Sequence, residues 1–181
     1  MEANGQSNKM LKRIVITGAE STGKTTLCRA LADYHKTSQS SEFVRTYVET
    51  LKRPINKSDL EPIIEGQLQL EKKAVANASN GIVFHDTNLL SNKIYIAHYF
   101  EKQLPSLEAE LIDQNYTYYF LCLPDVPWVE DPGQRESPEA RQVLHQKFHS
   151  TLNSENLPFS VISGSHQNRL EQALRTLDTL K

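Results

Sequence analysis

Cysteine is scarce. Cys28 and Cys122 are the two in the chain, too few for a disulfide framework, and no CxxC pair is there to hold a structural zinc, so a reducing compartment, the cytoplasm, is expected. Long apolar runs are also lacking. The longest, around residues 118–123, falls far short of a bilayer's thickness, and the opening MEANGQSNKML has no apolar core of a signal peptide. Seven glycines and eight prolines exclude a collagen-like or low-complexity chain. Charge of one sign is missing too: 20 Lys and Arg against 22 Asp and Glu leave a net charge of -2. No basic excess favours a nucleic acid or an anionic membrane, so neither partner is expected and a charged ligand has to be met by local groups.

What is present is a 181-residue chain that is 38% hydrophobic and 23% charged, enough for one domain with its own core. Residues 1–10 are polar and without periodicity, which predicts a disordered segment, with the single ordered domain running over 11–181. Short apolar segments at 11–17, 81–86, 118–123 and 159–162 read as strands. A further strand is assigned at 37–42, polar as that stretch is, because its neighbours need a connecting element. Between them lie helical patterns: Leu27, Leu31 and Tyr34 after Lys24; Leu60, Ile63, Ile64, Leu68 and Val75 over 59–78; Leu90, Ile94 and Ala97. Others are Leu107, Leu111 and Ile112 behind Pro105; Ala140, Val143, Leu144, Phe148 and Leu152; and Leu170 to Leu180 at the end. Strands alternating with helices predict an α/β fold in three layers, a parallel sheet covered on both faces.

Gly18-Ala19-Glu20-Ser21-Thr22-Gly23-Lys24-Thr25 fits GxxxxGK(S/T), and it stands between a predicted strand and a predicted helix, as a P-loop must. Its glycines let successive N–H groups face phosphate oxygens, Lys24 reaches the β- and γ-phosphates, Thr25 ligates magnesium, and Thr26 follows in the first helical turn. ATP and Mg2+ are therefore the expected cofactors. Asp86 ends a strand, where a carboxylate serves as a second metal-shell group or else caps the next helix; polar His85 and Thr87 beside it favour the first role. Glu42 and Arg45 follow the weak strand at the same sheet edge. Glu42 suits proton acceptance from an attacking hydroxyl and Arg45 suits phosphate, the alternative being a solvated pair at a helix start. Gln67 and Glu71, one turn apart, interrupt an apolar stripe, so either a polar group faces them or the helix turns them to solvent. Arg135, behind the Pro132-Gly133 turn, suits a lid arginine better than Arg141 does, and Trp128 is a core anchor or a stacking surface.

With Glu42-Phe43-Val44-Arg45, Gly66-Gln67, His85-Asp86-Thr87-Asn88 and the segment 128–135 added to the P-loop, the chain resembles the ribosylnicotinamide kinase domain of NadR-type proteins and their stand-alone P-loop relatives. The resemblance implies ATP-dependent phosphorylation of the 5'-hydroxyl of nicotinamide riboside to nicotinamide mononucleotide, on a five-stranded parallel sheet of order 2-3-1-4-5. It implies that Asp86 sits at the metal and the hydroxyl, that Arg135 belongs to a lid at about 129–139, and that Glu42, Arg45, Gln67, Thr87, Asn88 and Trp128 line the acceptor side. Gly164, Ser165 and Arg169 resemble an adenine-side loop. Asn88 departs from the aspartate of the family's Asp-Thr-Asp, and no HxGH nucleotidyl-transfer motif occurs. Two alternatives stand beside this reading: a P-loop kinase for another nucleoside or nucleotide, and a nucleotide-binding regulatory ATPase, against which the lack of an NKxD motif speaks.

Overall fold

The computed structural model describes residues 10–127 and 137–180. Ile14, Val15 and Ile16 of β1 (Lys12–Thr17) have no exposed surface, because a central parallel strand is covered on both faces and reads as an unbroken apolar run. After it come α1 (Lys24–His35), β2 (Gln39–Ser40), α2 (Phe43–Leu51), a 3-10 turn (Lys57–Asp59) and α3 (Leu60–Ala76). The chain continues through β3 (Ile82–Asp86), α4 (Leu89–Phe100), α5 (Pro105–Asp113), β4 (Tyr118–Cys122), α6 (Pro138–Ser154), β5 (Phe159–Ile162) and α7 (His166–Thr179). Every strand pair is parallel, and the sheet order is 2-3-1-4-5. This is the expected P-loop topology. Among the described residues no helix is long and apolar enough to cross a membrane.

Alternation along the strands sends side chains to two cores. Ile14, Ile16, Phe84 and Phe120 meet Leu27 and Leu31 of α1 and Ala173 and Leu177 of α7. On the other face Val15, Tyr119 and Leu121 meet Leu90 and Ile94 of α4 and Leu144, Phe148 and Leu152 of α6. A third cluster, with Leu60, Ile64, Leu68, Leu89, Ile96 and Leu107, joins α3, α4 and α5. The register sets Ile16 beside Asp86 and Thr17 beside Leu121. Since the order reverses at β1, the phosphate loop that follows it opens at the carboxyl edge, where such sheets bind ligands.

Several expectations need correction. The strand expected at 37–42 is two residues long, and Glu42 lies beyond it as the N-cap of α2. Helix α2 itself goes unassigned in the sequence reading, although Phe43, Val44, Tyr47, Val48 and Leu51 recur there at helical spacing; none of its residues is fully buried. Tyr34 is 64% exposed in the last turn of α1, whose buried side is carried by Leu27, Cys28, Leu31 and Ala32. Val143 and Ile112 also face outward. On α6 the buried side runs through Arg141, Leu144, Phe148 and Leu152, and Val143 stands ~200° around the helix from Arg141.

Candidate active site

Gly18 has φ 131, and a Cβ there would lie 2.9 Å from the Cys122 carbonyl oxygen. The loop can leave β1 hard against the end of β4 only because that position has no side chain. Gly23 caps α1, so the unpaired amides of the first helical turn face the hollow of the loop, a ready anion site. Thr22 Oγ1 and Lys24 Nζ both donate to the Ala19 carbonyl, at 2.7 and 2.8 Å. Two buried arginines hold the loop from within the protein. Arg141 Nη1 donates to the carbonyls of Ser21 at 3.2 Å and Val126 at 3.0 Å, and Arg169 Nη1 donates to that of Thr22 at 2.9 Å.

Asp86 ends β3 beside this loop and is 3% exposed, with Oδ1 lacking a hydrogen-bond partner among the described residues. Burial pushes its carboxyl pKa up, against the pull of the Lys24 ammonium and a bond from the Thr25 hydroxyl. An orphaned carboxylate oxygen next to a P-loop threonine is a donor set that suits a hard cation completed by phosphate oxygens. Thr87 follows in the left-handed region at φ 64. Its N–H donates to the Ile16 carbonyl at 3.0 Å, while its hydroxyl is buried and also without a partner.

A cleft of about 1400 Å³ runs from the phosphate loop, residues 20–26, past Glu42 and Arg45 to Lys52, Ile63 and Tyr99. Glu42 and Arg45 stand 3.8 Å apart. The far end includes Tyr95 and Tyr99, whose rings stack with centroids 6.1 Å apart and planes 6° from parallel. Tyr95 also donates from its hydroxyl to Glu20 Oε2 at 3.4 Å. These tyrosines and the loop contact of Arg141 escaped the sequence reading, although a tyrosine pair four apart on a helix is a signal for a shared face.

Other expected site residues are committed elsewhere. Asn88 caps α4, accepting from Ser91 N at 3.3 Å, and its amide donates to Tyr119 OH at 3.3 Å. Gln67 is 1% exposed and does not line the cleft; it bonds instead to Phe43 N and Glu71. Arg169, 2% exposed, is a strut: it donates to the Gly164 and Leu123 carbonyls and to the Asp125 carboxylate as well as to Thr22. Ser165 caps α7, and the Gly164 N–H donates to Asp125 Oδ2 at 2.6 Å. The adenine-side loop of the sequence reading is thus tied to the phosphate loop through Arg169. Trp128 and Arg135 lie outside the described residues, as does most of the expected lid.

Residues 13–169 match the family model described as AAA domain. The chain belongs to this AAA domain family. Among curated relatives, this AAA domain is 28% identical over 125 residues to the trifunctional NAD biosynthesis/regulator protein NadR of Salmonella typhimurium, a match covering 67% of this chain and 30% of the relative. It therefore spans under a third of that protein. Among solved structures, NadR in complex with NAD and AMP-PNP superposes with a TM-score of 0.79 at 25% identity, covering 94% of this chain and half of NadR. The deoxyadenosine kinase of M. mycoides with bound dATP shares the fold, with a TM-score of 0.64 at 14% identity over 92% of this chain and 99% of its own. The resemblance to the NadR kinase domain, read from the motifs, holds in both sequence and structure, and the AAA domain has a P-loop kinase-like fold.

Proposed function

We propose that this protein is an ATP-dependent kinase that transfers the γ-phosphoryl group to the 5'-hydroxyl of nicotinamide riboside. One observation carries the reading: a single cleft has the phosphate loop at one end and the pair Glu42 and Arg45 beyond it, as a donor and an acceptor binding in line require. Support for the acceptor comes from the NadR relatives, one of which is known in complex with NR. Lys24 neutralises phosphate charge, and the amides of the Gly23 turn cradle the phosphates. Thr25 and Asp86 are the residues that would hold Mg2+, which would supply positive charge to offset that of the transferred phosphoryl group. Glu42 and Asp86 are the carboxylates available to take the proton of the hydroxyl, and Arg45 holds the acceptor end. Arg135 enters as a lid arginine, and Trp128 as an acceptor-side ring, on sequence grounds alone.

A second reading, a nucleotide as acceptor, is favoured by Arg45 and Lys52, two cations along the same wall, while Arg53 beside them is held by the Asp59 carboxylate; Glu42 and Glu49 on that wall suit the cationic riboside instead. Incubation with Mg-ATP and a panel of nucleosides and nucleotides, with products identified by mass, decides between them. Nicotinamide mononucleotide is the expected product. A different phosphorylated product keeps the kinase and replaces the acceptor, and ATP hydrolysis with no phosphorylated acceptor makes the protein a regulatory ATPase.

A further inference from the structure

Helix α2 carries Arg45, and its N-cap is Glu42, yet none of its residues is buried. Its apolar residues Phe43, Val44, Tyr47, Val48 and Leu51 are half-buried. The ring of Phe43, its first residue, rests on Gly66 of α3, where any Cβ would collide with that ring. The Phe43 N–H donates to Gln67 Oε1 at 3.0 Å. At its middle Tyr47 OH donates to Asp59 Oδ1 at 3.0 Å. The first amides of a helix have no partner within it, and the N-cap side chain is the usual provider for this turn. Glu42 makes no such bond, and the neighbouring helix serves the first of these amides. The carboxylate of Glu42 lines the cleft beside Arg45.

Gln67 is itself held. Its Nε2 donates to Glu71 Oε1 at 3.3 Å, and Glu71 Oε2 accepts from Arg13 Nη2 at 2.9 Å and Tyr116 OH at 2.6 Å. A continuous run of hydrogen bonds thus leads from the central strand β1, through the buried face of α3, to the first residue of α2. We infer that Gln67 is a positioning residue: it lies behind the acceptor wall and, through the Phe43 amide and with the flat face of Gly66 beside it, fixes where Glu42 and Arg45 stand relative to the phosphate loop. The inference rests on the reading of Glu42 and Arg45 as acceptor-side residues.

Two variants test it. Gln67→Met keeps the bulk and removes the acceptor for Phe43 N–H. Gln67→Glu keeps that acceptor and turns its second oxygen toward Glu71, around which Arg13 of β1, His85 of β3 and Tyr116 are the other ionisable groups. Two carboxylates this close share a proton in acid and repel when both are charged. Amide hydrogen exchange by NMR, without any substrate, is the first readout. Phe43 N–H is expected to be protected in the wild type and to exchange roughly ten-fold faster or more in Gln67→Met, while the amides of β1 and β3 keep their protection. In kinetics with Mg-ATP and nicotinamide riboside, Gln67→Met should lower kcat/KM for the acceptor about ten-fold and change KM for ATP less than about two-fold. Gln67→Glu should match the wild type at pH 6 and Gln67→Met at pH 9.

Unchanged Phe43 exchange in Gln67→Met overturns the inference, and so does lost protection with unaltered acceptor kinetics. Equal losses for ATP and acceptor, or no rescue by Gln67→Glu at pH 6, make Gln67 a packing residue and also overturn it. If the wild type leaves nicotinamide riboside untouched, the proposed acceptor fails and the kinetics are repeated with whichever panel member is phosphorylated. If none is, the contact of the Phe43 ring with the Gly66 Hα, read as a nuclear Overhauser effect, replaces the kinetics: its loss in Gln67→Met supports the positioning role and its persistence overturns it.

Discussion

Two side chains at the end of β3 carry contrasting demands. Asp86 is nearly sealed from water and has an oxygen without a partner among the described residues, a costly arrangement unless a ligand completes it. If Asp86 holds the metal and also takes the proton, Asp86→Asn should cut turnover by several powers of ten, while Glu42→Gln should chiefly raise KM for the acceptor. The reverse ranking, read from steady-state kinetics, assigns the proton to Glu42. Thr87 stores strain in a different form, being β-branched yet left-handed at φ 64. Glycine adopts that conformation without penalty and alanine does not. Thr87→Gly should therefore be more stable than Thr87→Ala by about 1 kcal/mol, inverting the usual order of the two residues. Chemical denaturation of both variants measures this, and alanine proving the more stable would mean that the turn relaxes.

At the scale of elements, what could be read from the chain depended on whether its cause was local. The phosphate loop, β3 and α3 declare themselves because their signals, a glycine spacing or an apolar period, lie within a few turns of one another. Helix α2 carries such a period too, Phe43, Val44, Tyr47, Val48 and Leu51, but its contacts with Gly66 and Gln67 of another helix were not legible in it. The polar interruption at Gln67 and Glu71 was visible, and one of the two readings given for it, a polar group opposite, is what the fold contains. The partners Arg13, His85 and Tyr116 were not visible, because they come from distant parts of the chain and meet only when the sheet forms. Asn88 looked like an acceptor contact and is a helix cap, a role for which asparagine is equally suited. Gly66 gives this scale its test. Alanine favours a helix over glycine by about 1 kcal/mol, yet at this position it would drive the Phe43 ring away. Gly66→Ala is expected to keep or raise the melting temperature while KM for the acceptor rises several-fold. An unchanged KM would show that the ring is not what sets α2 in place.

For the molecule as a whole, the buried polar network behind α3 sets a dependence of stability on pH. Burial outweighs the bonds from Tyr116, Arg13 and Gln67 and pushes Glu71 from 4.5 up to about 7. A carboxyl raised on folding contributes its full stability below its ordinary value, and the contribution is lost as pH rises through the folded value. Glu71→Gln has nothing to ionise there. The difference in melting temperature, variant minus wild type, should therefore grow by several degrees between pH 4.5 and 8, and a constant difference would contradict the shift. Calorimetry across that range is the measurement.

The sheet order has a consequence for self-association. A strand edge offers unpaired N–H and C=O groups to any passing chain, and the two edges here are unequal. On one side β2 is two residues long, too short a template for another strand to grow on. On the other, β5 has four residues and leaves Val161 41% exposed, so aggregation on warming should begin there. Val161→Lys, away from the cleft, is expected to raise the temperature at which turbidity appears and to leave catalysis unchanged; turbidity rising at the same temperature would point to another surface.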